Sequence, residues 1–148
     1  MLKNIPAILS PELLSVLCEM GHGDTIVLGD GNFPGRTMAA ANGARLIRAD
    51  GHGVPALLDA ILTLIPLDAY VDTPVMLMNT DVKDKGMVIP IFDEYRQIIM
   101  RHDPRGNAAI GFYERFEFYE HAKCTCCVVQ TGETAIYANV ILQKGVII

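Results

Sequence analysis

Tryptophan is absent from this sequence, and the aromatic residues together make up only 7% of it. Charge is also sparse. Asp, Glu, Lys and Arg account for 20% of the 148 residues and leave a net charge of −5 at pH 7. No cluster of Lys and Arg exceeds two residues, so the electrostatic footprint of a nucleic-acid binder or of a protein for anionic membranes is missing. No apolar run approaches the roughly 20 residues of a membrane-spanning helix. The opening stretch, "MLKNIPAILSPELL", is broken by two prolines and a helix-capping serine, which is not a signal-peptide layout, and we expect a cytoplasmic protein.

Metal and nucleotide patterns are lacking too. The four cysteines are Cys18, Cys124, Cys126 and Cys127. "CTCC" contains Cys-x-x-Cys but has no second ligand pair, and no His-x-His or His-x-x-x-His pair exists, so no metal site is expected. The flanks "KCTCCVVQ" read as a strand, with Cys124 and Cys126 on one face and Cys127 on the other, all serving as small buried hydrophobes. "GDGNFPG" spaces Gly29, Gly31 and Gly35 as G-x-G-x-x-x-G, one residue longer than the dinucleotide fingerprint. Pro34 interrupts it, and Asp30 sits where it would repel a phosphate.

What is abundant is aliphatic. Hydrophobic residues reach 51%, mostly Ala, Val, Ile, Leu and Met. Such a composition suits helices packed on a sheet, and the positive mean hydropathy of +0.29 leads us to expect apolar surface buried between subunits. Along the chain, Ser10-Pro11-Glu12 supplies a helix cap, a proline at the first helical position and an acid at the positive end. "TIVLG" is a short apolar strand, followed by "ARLIRAD" as a second. Helix "VPALLDAILTLI", strand "TPVMLMNT" and helix "PIFDEYRQIIMRH" come next. Strand "NAAIGFYE", short helix "RFEFYEHA", strand "CTCCVVQ" and a final strand in "TGETAIYANVILQKG" complete the pass. This alternation predicts an α/β fold, a single three-layer αβα domain over residues 1–148 with a largely parallel sheet.

Polar side chains gather around the first strand. His22 and Asp24 precede it, and Asp30 follows at its C-terminal end, the edge where open α/β sheets bind ligands. A histidine titrates near neutrality and both gives and takes protons, and a nearby carboxylate can orient it. A polar loop that merely joins a helix to a strand would read much the same. Arg115 and Tyr119 lie four apart in a predicted helix and share a face. Tyr137 and Asn139 lie two apart in a predicted strand and point the same way. Such side chains both donate and accept, which suits the hydroxyls of a neutral ligand.

These stretches carry a resemblance. "SPELLSVLCEMGHGDTIVLGD", "IRADG", "FYERFEFYEHA" and "TGETAIYANVILQKGV" resemble the L-fucose mutarotase and D-ribose pyranase family, from Leu2 to Val146. The resemblance implies an isomerase that interconverts cyclic forms of a free sugar without a cofactor, in a ring-shaped homo-oligomer, commonly a decamer. It implies a proton-donor role for His22, substrate contacts at Asp30, Tyr137 and Asn139, and the fucose branch through Arg115, Tyr119 and Phe33-Pro34. Asn32 departs from the histidine of that branch's His-Phe-Pro. Asp68 and Met78 match an aspartate and a methionine of some fucose-branch members. Tyr119 or Asp68 is then the partner base, and Met78 packs against the apolar side of the sugar. Ribose pyranase activity and a non-catalytic sugar-binding subunit are the competing expectations.

Overall fold

The computed structural model describes residues 2–148. Ser10 Oγ accepts the Leu13 N–H at 3.2 Å, and Pro11 opens α1 (Pro11–Glu19) as the sequence predicts. There follow β1 (Thr25–Gly29), α2 (Gly35–Ala40), β2 (Arg45–Ala49), α3 (Val54–Leu62) and β3 (Val75–Met78). A 3₁₀ turn (Val82–Asp84) leads to α4 (Ile91–His102), and a second one (Gly106–Ala109) to β4 (Ile110–Tyr113). The chain closes with α5 (Arg115–Ala122), β5 (Cys127–Thr131) and β6 (Val140–Gln143).

The six strands form one sheet in the order β2-β5-β1-β6-β3-β4. The pairs β1–β5, β2–β5 and β3–β4 are parallel, whereas β6 runs antiparallel to both β1 and β3. Five strands therefore share one direction and β6 alone is reversed, so β6 begins beside the C-terminal ends of its two neighbours.

Strand periodicity divides the core between two faces. Ile26, Leu28, Leu77, Val129, Val140 and Leu142 pack with the apolar stripes of α1, α3 and α4. Val27, Met78, Val128 and Ile141 pack on the other face with Met38 of α2 and Phe118 of α5. That is the expected three-layer αβα arrangement with a mostly parallel sheet.

Three local expectations are corrected. Helix α2 was not foreseen, because its N-cap, Pro34, makes no side-chain cap and the helix has only six residues. Next, β5 starts at Cys127, so Cys124 and Cys126 do not lie in a strand. The chain instead turns directly off α5. The N–H groups of Cys124 and Thr125 take the His121 and Ala122 carbonyls, and Thr125 Oγ1 donates to Ala122 O at 2.9 Å. Cys18 and Cys124 are exposed and Cys126 is half-buried, leaving Cys127 as the one fully buried cysteine among the described residues.

Finally, Tyr137 and Asn139 precede β6 rather than lying in it, and Tyr137 adopts a left-handed φ of 60°. Strand alternation therefore does not orient this pair. The segment is held from outside the ladder: Tyr95 Oη, fully buried in α4, donates to Ala138 O at 2.7 Å, and Asp30 engages the Asn139 side chain.

Candidate functional site

A cavity of about 250 Å³ opens over the C-terminal ends of β1 and β3, where β6 begins. Asp30, Met78, Arg115, Tyr119, Tyr137 and Asn139 all line it. The six come from four parts of the chain, each placed for a structural reason. Asp30 is the first residue past β1 and Met78 the last of β3. Arg115 and Tyr119 project from successive turns at the start of α5. Tyr137, in a left-handed backbone conformation, lines the wall with its hydroxyl bonded to Asp84 and to the Asp81 N–H. Sequence reasoning missed Asp84 and Ile136 as lining residues, and it named Asn32 and Phe33 only through the resemblance, without a role of their own. Phe33 had a readable signal: a side chain at Gly29 would place its Cβ 2.6 Å from the Phe33 ring, so this glycine makes room for it. Asp84 had none, since the 3₁₀ turn that delivers it carries no periodicity.

Asp30 is the fixed centre of this edge. It is 4% exposed. Its N–H donates to Asn139 Oδ1 at 2.8 Å, Asn139 Nδ2 donates to its Oδ2 at 3.0 Å, and the Asn32 N–H donates to its Oδ1 at 2.9 Å. Gln130 Nε2 holds its backbone carbonyl from β5. Burial pushes the Asp30 carboxyl above its ordinary value, and these N–H donors offset only part of that shift. The second amide hydrogen of Asn139 is directed at Met78 Sδ, 3.7 Å away.

His22 and Asp68 are not in this cavity. His22 lies three residues before β1 and Asp30 one residue after it, on opposite edges of the sheet. Five strand residues at roughly 3.3 Å each separate the two edges by about 16 Å. The nine-residue proximity of His22, Asp24 and Asp30 in the sequence is thus undone by the strand between them. Asp24 Oδ2 accepts the Gly21 N–H at 2.7 Å and serves the local turn.

His22 and Asp68 instead meet each other. His22 Nε2 lies 3.1 Å from Asp68 Oδ1, and the imidazole leans on the Tyr70 ring with centroids 5.4 Å apart. The His22 side chain is 45% exposed, while Asp68 beneath it is buried. Asp68 also accepts the Tyr70 N–H at 2.9 Å and Gln143 Nε2 at 3.0 Å. Burial alone would raise the Asp68 carboxyl, but the Tyr70 N–H, His22 and Gln143 outweigh it and hold the carboxyl below its ordinary value. A carboxylate fixed behind an exposed imidazole is the arrangement that orients a histidine for proton transfer.

Among the described residues, no group of three or more His, Cys, Asp or Glu is disposed to hold a metal ion. Among the same residues, no helix is long and apolar enough to cross a membrane. The cavity presents carboxylates, amides, phenols and a single arginine beside an apolar wall, which is suited to a small polyhydroxylated ligand without a phosphate. Fold and site together define an α/β protein built for such ligands.

Comparison with known proteins narrows the class. The model of the RbsD / FucU transport protein family matches residues 3–147, and the chain belongs to this family. It is 51% identical to the fucose mutarotase of Homo sapiens over 148 residues, covering 99% of this chain and 94% of that one. It is 42% identical to the L-fucose mutarotase of Haemophilus influenzae, covering 99% and 97% of the two chains. Among solved structures, the fucose mutarotase of Streptococcus pneumoniae in complex with L-fucose is 47% identical, with a TM-score of 0.90 over 99% of this chain and 100% of that one. The Bacillus subtilis RbsD complexed with D-ribose shares the fold at a TM-score of 0.74, with 21% identity over the full length of both chains.

Proposed function

We propose that the protein is an L-fucose mutarotase, an isomerase that interconverts the α and β anomers of the free sugar. The observation that carries this reading is the cavity over β1 and β3. Its lining is that of a neutral sugar site, in a chain about half identical to proteins named fucose mutarotase.

The chemistry needs only protons. One group protonates the ring oxygen while another takes the proton of the anomeric hydroxyl. The bond between C1 and the ring oxygen breaks, the aldehyde rotates about C1–C2, and closure on the other face reverses both transfers. His22 is the acid, and Asp68 orients its imidazole. Tyr119, which faces the cavity, is the partner base, since Asp68 is already engaged by His22, Tyr70 and Gln143. Asp30, Arg115, Tyr137 and Asn139 hold hydroxyls, and Met78 packs against the methyl group. No step calls for a cofactor.

With His22 as the acid, its separation from the cavity calls for a second copy of the chain. In this reading the His22–Asp68 edge of one protomer docks over the cavity of the next, in a cytoplasmic ring-shaped homo-oligomer, a decamer by family resemblance. Exposed Tyr70 beside His22, and exposed Phe116 and Ile136 beside the cavity, supply apolar surface for that contact.

Saturation transfer between the anomeric protons of L-fucose tests the activity, with D-ribose run in parallel. Faster exchange for fucose alone supports the reading. Acceleration among ribose forms moves the chain to pyranase activity, and binding without acceleration leaves a sugar-binding subunit. Unfolding and refolding His22→Ala and Asp30→Ala chains together tests the shared site. Recovery of activity in the mixture is expected, and its absence overturns the two-copy site.

A further inference from the structure

Tyr137 makes two hydrogen bonds that leave its hydroxyl with a defined polarity. Its Oη donates to Asp84 Oδ2 at 2.6 Å and accepts the Asp81 backbone N–H at 3.1 Å. A phenol has one proton and two lone pairs. The proton is committed to Asp84 and one lone pair to Asp81. What remains to face the cavity is a single acceptor site. The same turn reaches a second cavity residue, because Asp81 Oδ2 lies 3.3 Å from Arg115 Nη2. Asp81 is also fixed locally, its Oδ1 accepting the Lys83 N–H at 3.2 Å. A turn that contributes no residue to the acid–base chemistry thus grips one side chain from before β6 and one from α5.

We propose that Asp84 is a specificity-determining positioning residue: by taking the proton of Tyr137, it makes this wall of the cavity acceptor-only, so that the sugar must present a hydroxyl as donor there. This rests on the sugar-site reading given above. An acceptor-only wall favours a ligand whose neighbouring hydroxyls both donate to it, and disfavours a deoxy or O-methyl analogue at that position. With asparagine at position 84 the polarity is free to invert. The carboxamide N–H₂ can donate to Tyr137 Oη, which turns the phenolic proton toward the sugar, so that the hydroxyl there must rotate, accept instead and give up its bond as a donor.

The test is saturation-transfer kinetics on the full-length protein with L-fucose and with its singly deoxygenated analogues. Wild-type acceleration of L-fucose exchange is measured first, because its absence would sink the sugar-site reading and not this inference. Given an active wild type, Asp84→Asn is expected to raise KM for L-fucose about 5–10-fold, the worth of one hydrogen bond, with kcat nearly unchanged. It should also narrow the preference for L-fucose over the one analogue that lacks the donating hydroxyl. In a Tyr137→Phe background the same substitution should have little further effect, as expected if Asp84 acts through the phenol. Lys83→Ala, an exposed change in the same turn, should leave both constants unchanged. An Asp84→Asn enzyme with wild-type KM and wild-type discrimination overturns the proposal. So does a full effect of Asp84→Asn that persists without the Tyr137 hydroxyl.

Discussion

At each edge of the sheet a buried aspartate is gripped by an amide from the β6 segment, and the two behave in opposite ways. Asp30 and Asp68 are 4% and 2% exposed. Burial wins at Asp30, whose partners are backbone N–H groups and the Asn139 amide, and its carboxyl is raised. At Asp68, the Tyr70 N–H, the imidazole of His22 and the Gln143 amide win, and the carboxyl is lowered. Equal exclusion from solvent therefore does not mean equal chemistry. Asp30 lies deeper among protein atoms, so desolvation wins there, whereas at Asp68 the partners win and the carboxylate is held ionised behind a histidine. In the proposed mechanism the first suits a hydroxyl-holding centre and the second suits the support of an acid.

The contrast can be broken from either side. The largest effect is expected at the exposed edge: His22→Ala should lower kcat about 10²–10⁴-fold, the range of a single general acid. The fold should be intact, because nearly half of that side chain is in solvent. Saturation transfer and a thermal melt together check it. A full-rate variant would leave the His22–Asp68 edge without a catalytic role.

At the cavity edge the leading effect should be on stability. Asn139→Ala strips Asp30 of two partners in a buried site and should cost about 2–3 kcal/mol in urea unfolding. Tyr95→Phe removes one buried hydroxyl but keeps the ring, leaving Ala138 O unpaired, and should cost about 1–2 kcal/mol. An Asn139→Ala protein as stable as the parent would show that Asp30 is not held as described.

The smallest effects, and the sharpest, are in pH. Asp30 must be ionised to accept sugar hydroxyls on both oxygens. The acid limb of kcat/KM should accordingly have its midpoint above 3.8, the ordinary value for aspartate. Asp68 works the other way in stability. Its folded value lies below 3.8, so its contribution is fully present above that pH and is lost as pH falls through the lower value. Asp68→Asn should flatten the loss of stability below pH 3.8, measured by urea midpoints across pH. An unchanged slope would mean that the Asp68 contacts do not persist in solution.

Much of the architecture was legible because it rests on short-range signals. Ser10-Pro11 marks a helix start, and the short continuous apolar runs of β1 and β5 mark buried strands. The site was legible only as a set of residues. Arg115 and Tyr119 are joined by helix spacing, and the structure keeps them together. Tyr137 and Asn139 look like strand neighbours but are arranged by a left-handed residue and by Tyr95 from another layer, which no local pattern encodes. His22 and Asp30 look adjacent because only seven residues lie between them, yet an extended strand turns those residues into distance. Asp84 belongs to a turn with no period at all, and only tertiary contact brings it to Tyr137.

The reversal of β6 has a consequence for assembly. An amide just before this four-residue strand, Asn139, grips one aspartate, and the amide of its last residue, Gln143, grips the other. In the proposed two-copy site the strand is thus a rigid spacer with a socket at one end and a plug mount at the other. Plug-into-socket contacts between identical units are head-to-tail, and head-to-tail contacts either close into a ring or grow without limit. In an open chain one socket and one plug are always left over. A closed ring leaves none, so for this protein closure would mean that every copy works.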